Sequence, residues 1–357
     1  MSKIKVLFTI PNFDTAGSGN VVINLAIGLD KEVFDVEICT TSDKGILFKK
    51  IKQLGIKVHI FNYLTTRKLG WDFVNGIFRT IQFFRKCNPD IIHSYHYASE
   101  FSEGLAARLA GCKWVFTKKN MAWGNKSWKI RSFLANRIIS TNKVIKSKFY
   151  NNSNKIEVIY SSVNTANFPF VDKKEIQRNF IVVGNIIPIK GTEYIIKAFL
   201  DFCELKPGKL ILVGDDSSNY AKNIKQSLII NKYKDRIEFV GKSNTIKDYF
   251  DECFCLIMAS DRNGEGGPVA VLEAMSSGLL VIGSNVAGIN EQLSNFPELM
   301  FNSEDSNSLR KKMIEVFNYS DKEIKNLTRQ LRLEIDNKFT IDIEIKKHHK
   351  FYQNLLA

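Results

Sequence analysis

The feature that most restricts the fold of this chain is a rhythm. Short runs rich in Val, Ile and Phe, such as KIKVLFTI, DVEICTT, KVHIF, DIIHSY, KWVFTK and RIIST, alternate with amphipathic segments such as NVVINLAIGLD and WDFVNGIFRTIQFFRKC. Apolar runs this short, bounded by turn residues, predict buried strands, and the longer segments between them predict helices. Strands apolar on both faces need helices covering both faces, which is the property of parallel sheets. The expected fold class is therefore α/β, with doubly wound sheets.

The rhythm breaks once, at NSNKIEVIYSSVNTANFPFVDKKEIQRN, which gathers Asn, Ser, Pro and charge. It then restarts with FIVVG, KLILVGD, RIEFVG, FCLIMAS and LLVIGS, and from about Ser306 it becomes purely helical. A length of 357 residues also exceeds one ordinary core and fits two. The reading is a first domain over 1–165, a linker over 166–177, a second domain over 178–340 and a terminal helix over 341–357, with a cleft between the domains. Ligands of such sheets sit beyond the carboxyl ends of the strands, so the residues after each strand are the ones to inspect.

Composition narrows the class. No apolar run approaches the ~20 residues of a membrane span, and MSKIKVLFTIP reads as a first strand rather than a signal peptide. Six scattered cysteines with no metal-ligand spacing suggest a reduced, cytoplasmic protein without a structural metal. The net charge of +14 lies wholly in residues 1–170, where 25 Lys and Arg face 11 acids. Residues 104–156 hold 12 Lys and Arg, no acid, and Trp114, Trp123 and Trp128. NKSWKIRSFLANRI, with Trp128, Ile130, Phe133 and Leu134 among Lys126, Lys129, Arg131 and Arg137, reads as an interfacial patch for an anionic inner-leaflet membrane. A solvated basic face over core tryptophans is the plainer alternative. Nucleic acid is not expected as a partner, since no nucleic-acid motif accompanies the charge.

Four segments could carry chemistry. After the first strand, Gly17, Ser18 and Gly19 open a helix, where amides and the helix dipole suit an anion such as a diphosphate; a plain β-to-α turn would look the same. The segment is neither G-x-G-x-x-G nor a Walker loop, which weakens nicotinamide and ATP readings. In VVGNIIPIKGTEYIIKAF, Lys190 stands at a strand end beside a helix start with Thr192 as its expected N-cap. Asp215 and Asp216 in LVGDD read as a strand-end turn that helps cap the next helix rather than as a metal site. In GEGGPVAVLEAM, Glu265 lies in a glycine loop with Gly266 and Gly267, and Glu273 lies about five residues into the helix that Pro268 begins. Two carboxylates so placed could grip hydroxyls along one elongated ligand. A glutamate set among Val271, Leu272, Ala274 and Met275 is costly unless it is hydrogen-bonded.

Taken together, these segments resemble the family 4 (group 1) retaining glycosyltransferases over nearly the whole chain. The most specific element is E-x7-E, Glu265 through Glu273. GSGNVVINLAIGL, IEVIYSSVNTANF, VVGNIIPIKGTEYIIKAF and LILVGDD support it. The resemblance implies a GT-B fold of two Rossmann-like domains facing a cleft, with C-terminal helices packing back toward the N-terminal, acceptor-side domain. It implies that Glu273 holds ribose hydroxyls, that Glu265 lies near the donor sugar, that Lys190 neutralises the diphosphate, and that Gly17 to Gly19 meet the phosphates. The family arginine before the lysine is replaced by Asn185, and Arg262 is the candidate substitute. The family histidine after KWVFTKKN is replaced by Lys118, Lys119 and Asn120. His93 and His96 could serve the acceptor side along with Lys119 and Asn120, or be core histidines.

The implied activity is transfer of a hexosyl unit from a nucleoside-diphosphate sugar, with UDP the expected nucleotide. The acceptor would be a glycan or lipid-linked, in capsule, lipopolysaccharide or related surface polysaccharide synthesis. No cofactor or metal is expected, and the nucleotide-sugar is a substrate. A nucleotide-sugar epimerase of the same fold, or a non-catalytic nucleotide-sugar-binding protein at the membrane, are the rival readings.

Overall fold

The computed structural model describes residues 3–14, 16–65, 70–96, 98–122, 124–243, 245–263 and 265–357. Trp123, one of the tryptophans of the basic stretch, lies outside them. The chain divides into two units, one of residues 1–160 with 342–357 and the other of residues 161–341.

The first unit follows the strand–helix rhythm: β1 (Ile4–Ile10), α1 (Ala16–Gly28), β2 (Phe34–Thr40), α2 (Ile46–Gln53), β3 (Lys57–Ile60), α3 (Trp71–Cys87) and β4 (Ile91–Ser94). It continues with α4 (Ser102–Leu109), β5 (Lys113–Lys118), α5 (Ser127–Leu134), β6 (Arg137–Ser140), α6 (Lys143–Tyr150) and β7 (Ile156–Val158). The seven strands form one parallel sheet in the order β3-β2-β1-β4-β5-β6-β7. The order reverses between β1 and β4, where Val6 lies opposite Ile91 and Phe8 opposite His93.

The second unit repeats the plan: β8 (Phe180–Val183), a single 3-10 turn (Pro188–Lys190), α7 (Thr192–Cys203), β9 (Leu210–Val213), α8 (Asn219–Leu228), β10 (Ile237–Gly241), α9 (Ile246–Asp251) and β11 (Cys255–Met258). Then come α10 (Val269–Ser277), β12 (Leu280–Ser284), α11 (Ile289–Gln292), β13 (Met300–Phe301), α12 (Ser306–Phe317) and α13 (Asp321–Lys338). Its parallel sheet runs β10-β9-β8-β11-β12-β13, and the reversal falls between β8 and β11, with Phe180 opposite Cys255 and Ile181 opposite Leu256. Every residue of β8, β9, β11 and β12 is buried, which explains why they read as unbroken apolar runs rather than alternating ones.

The last helix, α14 (Ile341–Leu356), returns to the first unit. Phe351 and Tyr352 join the core formed by Phe8, Ile10, Val22 and Leu25. Gly28 at the end of α1 allows this approach, because a Cβ there would collide with Ile345.

Two tryptophans of the basic stretch go inward rather than to an interface. Trp114 is fully buried and Trp128 nearly so, and the Arg131 guanidinium sits 4.9 to 5.7 Å from the ring centres of Trp114, Phe116 and Trp128. Arg131 is fully buried, donates to Ser94 Oγ at 2.9 Å and to the Glu100 carbonyl, and lies 3.9 Å from Glu103. A buried guanidinium needs such a set of partners. Leu134 is only half-buried, while Lys126, Lys129, Ile130 and Phe133 remain exposed. Among the described residues, no helix is long and apolar enough to cross a membrane.

Candidate functional site

In the second unit the loops after β8 and β11 meet, because those strands are neighbours. The turn after β8 ends at Gly191, whose φ of 68° is left-handed and whose missing Cβ would strike the Ala259 carbonyl oxygen. Only glycine lets this turn press against the end of β11, where Asp261 N–H donates to the Ile189 carbonyl at 3.0 Å. Gly191 itself is the N-cap of α7, and the expected cap, Thr192, is the first helical residue and is buried. The reason is that the left-handed glycine, not a side-chain oxygen, turns the chain into the helix.

This contact delivers Lys190 to Glu265. Their ammonium and carboxylate form an ion pair, and Ser260 Oγ donates to the same carboxylate oxygen at 2.8 Å. Ser260 is held in turn, its carbonyl accepting from Ser284 Oγ at the end of β12 at 2.7 Å. Glu265 is buried while Lys190 stays partly exposed, so the cation is the open side of the pair. Ser260 carries no motif. Its only sequence signal is its place just after a buried strand.

Gly266 and Gly267 follow, pressed by the next turn: a Cβ on Gly288 would lie 2.7 Å from the Gly267 nitrogen. α10 starts at Val269, so Pro268 is its N-cap rather than its first helical residue, and its carbonyl accepts from Gln292 Nε2 at 3.2 Å. Glu273 is the fifth residue of α10, between buried Leu272 and Ala274. Its carboxyl is half-buried, and no described residue hydrogen-bonds to it. Burial alone pushes it up to about 7. A carboxylate without a partner among apolar neighbours is suited to a ligand that brings hydroxyl donors.

The other second-unit candidates have different surroundings. Asn185 is exposed just beyond β8. Arg262, expected as a substitute cation, is exposed and forked onto Glu304 by Nε at 3.1 Å and Nη2 at 2.8 Å. Asp215 accepts from the Ser217 amide and hydroxyl and pairs with Lys242 at 3.1 Å. These contacts, Ser217 first, hold it down to about 2. Asp216 pairs with Lys225, and the cap of α8 is Ser218 rather than either acid.

In the first unit α1 begins at Ala16, so Gly17, Ser18 and Gly19 are its first turn rather than a loop before it. First-turn amides have no intrahelical acceptor. Lys119, just past β5, brings its ammonium to 3.0 Å from Ser18 Oγ and lies 5.0 Å from the Tyr95 ring centre. Burial lowers it to about 8, against the pull of Glu344. Asn120 is exposed, and its Oδ1 accepts from Lys118 Nζ at 2.7 Å. Lys118 itself is fully buried, donates also to the Ala122 carbonyl at 2.8 Å, and lies 4.2 Å from the Trp128 ring centre.

His93 is turned into the core. It is fully buried, with Nδ1 bonded to the Tyr352 hydroxyl at 2.6 Å and Nε2 to Thr117 Oγ1 at 2.8 Å. Burial, then His348 and Lys119, hold it well below the ordinary imidazole value. It lies on an interior strand and faces the returning helix, so both nitrogens are spent on the core. His96 is buried as well, its carbonyl accepting from Arg131 at 3.3 Å. His93→Ala is expected to cost about 2–4 kcal/mol of stability while leaving acceptor KM unchanged, as denaturant unfolding and kinetics would measure. The neighbouring His348 is lowered to about 4 by burial. The unfolded chain therefore takes up protons that the native state refuses, and stability should fall as pH drops from about 6.5 toward 4.

Residues 163–354 match the family profile described as glycosyl transferases group 1, and residues 15–167 match that of glycosyltransferase family 4. The chain is 24% identical over 326 residues to a capsular polysaccharide biosynthesis glycosyltransferase of Staphylococcus aureus, covering 84% of this chain and 87% of the relative. It is 25% identical over 307 residues to the Escherichia coli UDP-Gal:α-D-GlcNAc-diphosphoundecaprenol α-1,3-galactosyltransferase, covering 76% of this chain and 77% of the relative. The crystal structure of Anabaena HepE in complex with UDP and glucose superimposes with a TM-score of 0.81 at 16% identity, covering 98% of this chain and 99% of that one. That likeness establishes the two-domain GT-B type of fold.

Proposed function

Because the chain belongs to the group 1 glycosyl transferases, we propose that it moves a hexosyl unit from a UDP-sugar to a glycan or lipid-linked acceptor during assembly of a bacterial surface polysaccharide. The names of the Staphylococcus and Escherichia relatives support the pathway and the kind of acceptor, and the ligands of HepE support the nucleotide. The observation that carries the reading is the Lys190–Glu265 pair at the switch point of the second sheet, on the loop that leads into α10 and the unpartnered Glu273.

Each group then has a task. Charge grows on the leaving diphosphate, and a fixed cation aimed at it stabilises the transition state more than the ground state. Lys190 turns from Glu265 to the phosphates, with the Gly267 amide nearby, so that neutralisation does not call for a metal. Glu265, released, faces the sugar. Glu273 accepts the two ribose hydroxyls. No carboxylate is placed as an obvious nucleophile, and retention follows from attack on the same face as the departing diphosphate.

The test is a screen of thermal stabilisation by UDP, GDP, ADP and their sugars, followed by turnover assays with and without acceptor. UDP should stabilise most, and donor should be consumed only when acceptor is present, with chelator harmless. Stabilisation by GDP or ADP but not UDP would overturn the nucleotide; donor conversion without acceptor would favour an epimerase. A pH series adds an independent check. Hydroxyl donors favour the ionised carboxyl, so UDP-sugar affinity should rise through pH 7, near the value of Glu273, and level off above it. Calorimetry in two buffers of different ionisation enthalpy should detect proton release below that pH.

A further inference from the structure

We infer that Glu37, His59 and Cys87 of the first unit form a binding site for zinc(II), which ties the edge strand β3 to β2 and to the end of α3. A carboxylate oxygen, an imidazole nitrogen and a thiol lie there within 4.8 Å of one another. Glu37 Oε2 is 2.6 Å from His59 Nε2, and that nitrogen is 4.0 Å from Cys87 Sγ. Among the described residues, no other three His, Cys or acidic side chains meet this closely. Imidazole nitrogen, thiolate sulfur and carboxylate oxygen are the ligand types of zinc, at about 2.0 to 2.3 Å from the ion. Tetrahedral ligands at those lengths stand about 3.3 to 3.6 Å apart, so side-chain shifts of about 1 Å seat the ion. Sequence spacing does not reveal the group, because His59 lies 22 residues after Glu37 and Cys87 lies 28 after His59.

The two lysines at Glu37 do not compete for the ligand oxygen. Lys5 and Lys57 hold Oε1, at 3.0 and 2.8 Å, and leave Oε2 to His59. They neutralise and orient the carboxylate from its far side, as the outer partners of a metal ligand do. Lys5 also donates to the Cys87 carbonyl at 2.6 Å, which fixes the end of α3 against β2. The imidazole is set edge-on to Phe83, with ring centres 5.6 Å apart. Ion pairing accounts for Glu37 and its lysines, but it leaves the thiol that faces the imidazole without a charge to balance. Glu37 and Cys87 are buried, while His59 keeps 22% of its side chain exposed and gives an ion its way in. Cys87 binds as the thiolate and releases its proton to solvent. The strand so tied, β3, is four residues long and stands at the edge of the sheet, where a bound ion adds its binding energy to the folded unit. The site is apart from the transfer chemistry. Lys5 lies near the start of β1 and Cys87 ends α3 just ahead of β4, so the cluster sits toward the amino ends of the strands, and ligands of such sheets sit beyond the carboxyl ends.

Titration of the metal-stripped full chain with zinc, against a chromogenic chelator and without any sugar donor, tests this separately from the transfer reaction. One zinc should bind per chain and raise the melting temperature. Cobalt(II) in its place should give the near-ultraviolet charge-transfer band of a thiolate–cobalt bond. Cys87→Ser should abolish that band and weaken zinc at least about tenfold, since even the outer partners of a ligand act on that scale. His59→Gln keeps a hydrogen-bonding group beside Glu37 at a partly exposed position. It should weaken zinc as much while melting like the parent chain when no metal is present. A parent chain that binds no zinc would overturn the site and leave an ion-pair network only. So would cobalt bound without the charge-transfer band, or zinc affinity that neither variant changes.

Discussion

Lys190→Ala is expected to lower kcat/KM for sugar transfer about 100- to 1000-fold, the usual effect of removing one fixed donor from a developing anion. The ammonium is the only charged partner that Glu265 has in the described structure, and Ser260 would be left to hold that carboxylate alone. Loss of activity could therefore reflect loss of the charge or disturbance of the loop. Glu265→Gln separates the two. It frees Lys190 for phosphate, so UDP should bind at least as tightly as to the parent chain while transfer still falls. A Lys190→Ala protein whose transfer stays within a few-fold of the parent would remove Lys190 from the diphosphate.

Glu273→Gln is expected to move binding and stability in opposite directions. Its carboxyl lies at about 7 in the folded protein against an ordinary 4.5, so the native state holds a proton that the unfolded chain has lost. Stability is therefore lost as pH rises from about 4.5 to 7, and the full penalty applies above 7. The penalty is at most about 3 kcal/mol, and smaller because water reaches part of the group. The amide removes it, so the variant should melt higher at pH 8 and little differently at pH 5. Its affinity for UDP should nevertheless fall about tenfold or more, because a neutral amide accepts hydroxyl donors less strongly than a carboxylate. A glutamate serving only the fold would show the reverse, a variant that is less stable and binds UDP as before. Melting curves at the two pH values and calorimetric titration with UDP distinguish these outcomes.

Much of the site was legible because its signals are local. Glu265 and Glu273 stand out through spacing and through the apolar neighbours of the second. Lys190 stands out by lying after a buried strand and before a helix. Other readings stayed open in the sequence where a local signal had two physical explanations. His93 follows a strand, like a ligand residue, yet its neighbour in space is Tyr352, which is remote in sequence. Trp128 and Arg131 look interfacial in sequence, but the rings of Trp114, Phe116 and Trp128 surround the Arg131 guanidinium, which faces Glu103. Arg262 was plausible by position and is engaged by Glu304. Ser260 was missed because a lone serine at a strand end has no distinguishing pattern.

Periodicity, turn residues and chain length were sufficient by themselves for two doubly wound sheets with chemistry at the strand ends, because burial on both faces, helix capping and core size are read a few residues at a time. The pairing of β8 with β11 was decided only in three dimensions, and it is this pairing that sets Lys190 against Glu265. So was the meeting of Glu37, His59 and Cys87. Both depend on which distant segments become neighbours, and a lone His or Cys looks the same in sequence whether or not another ligand comes to face it.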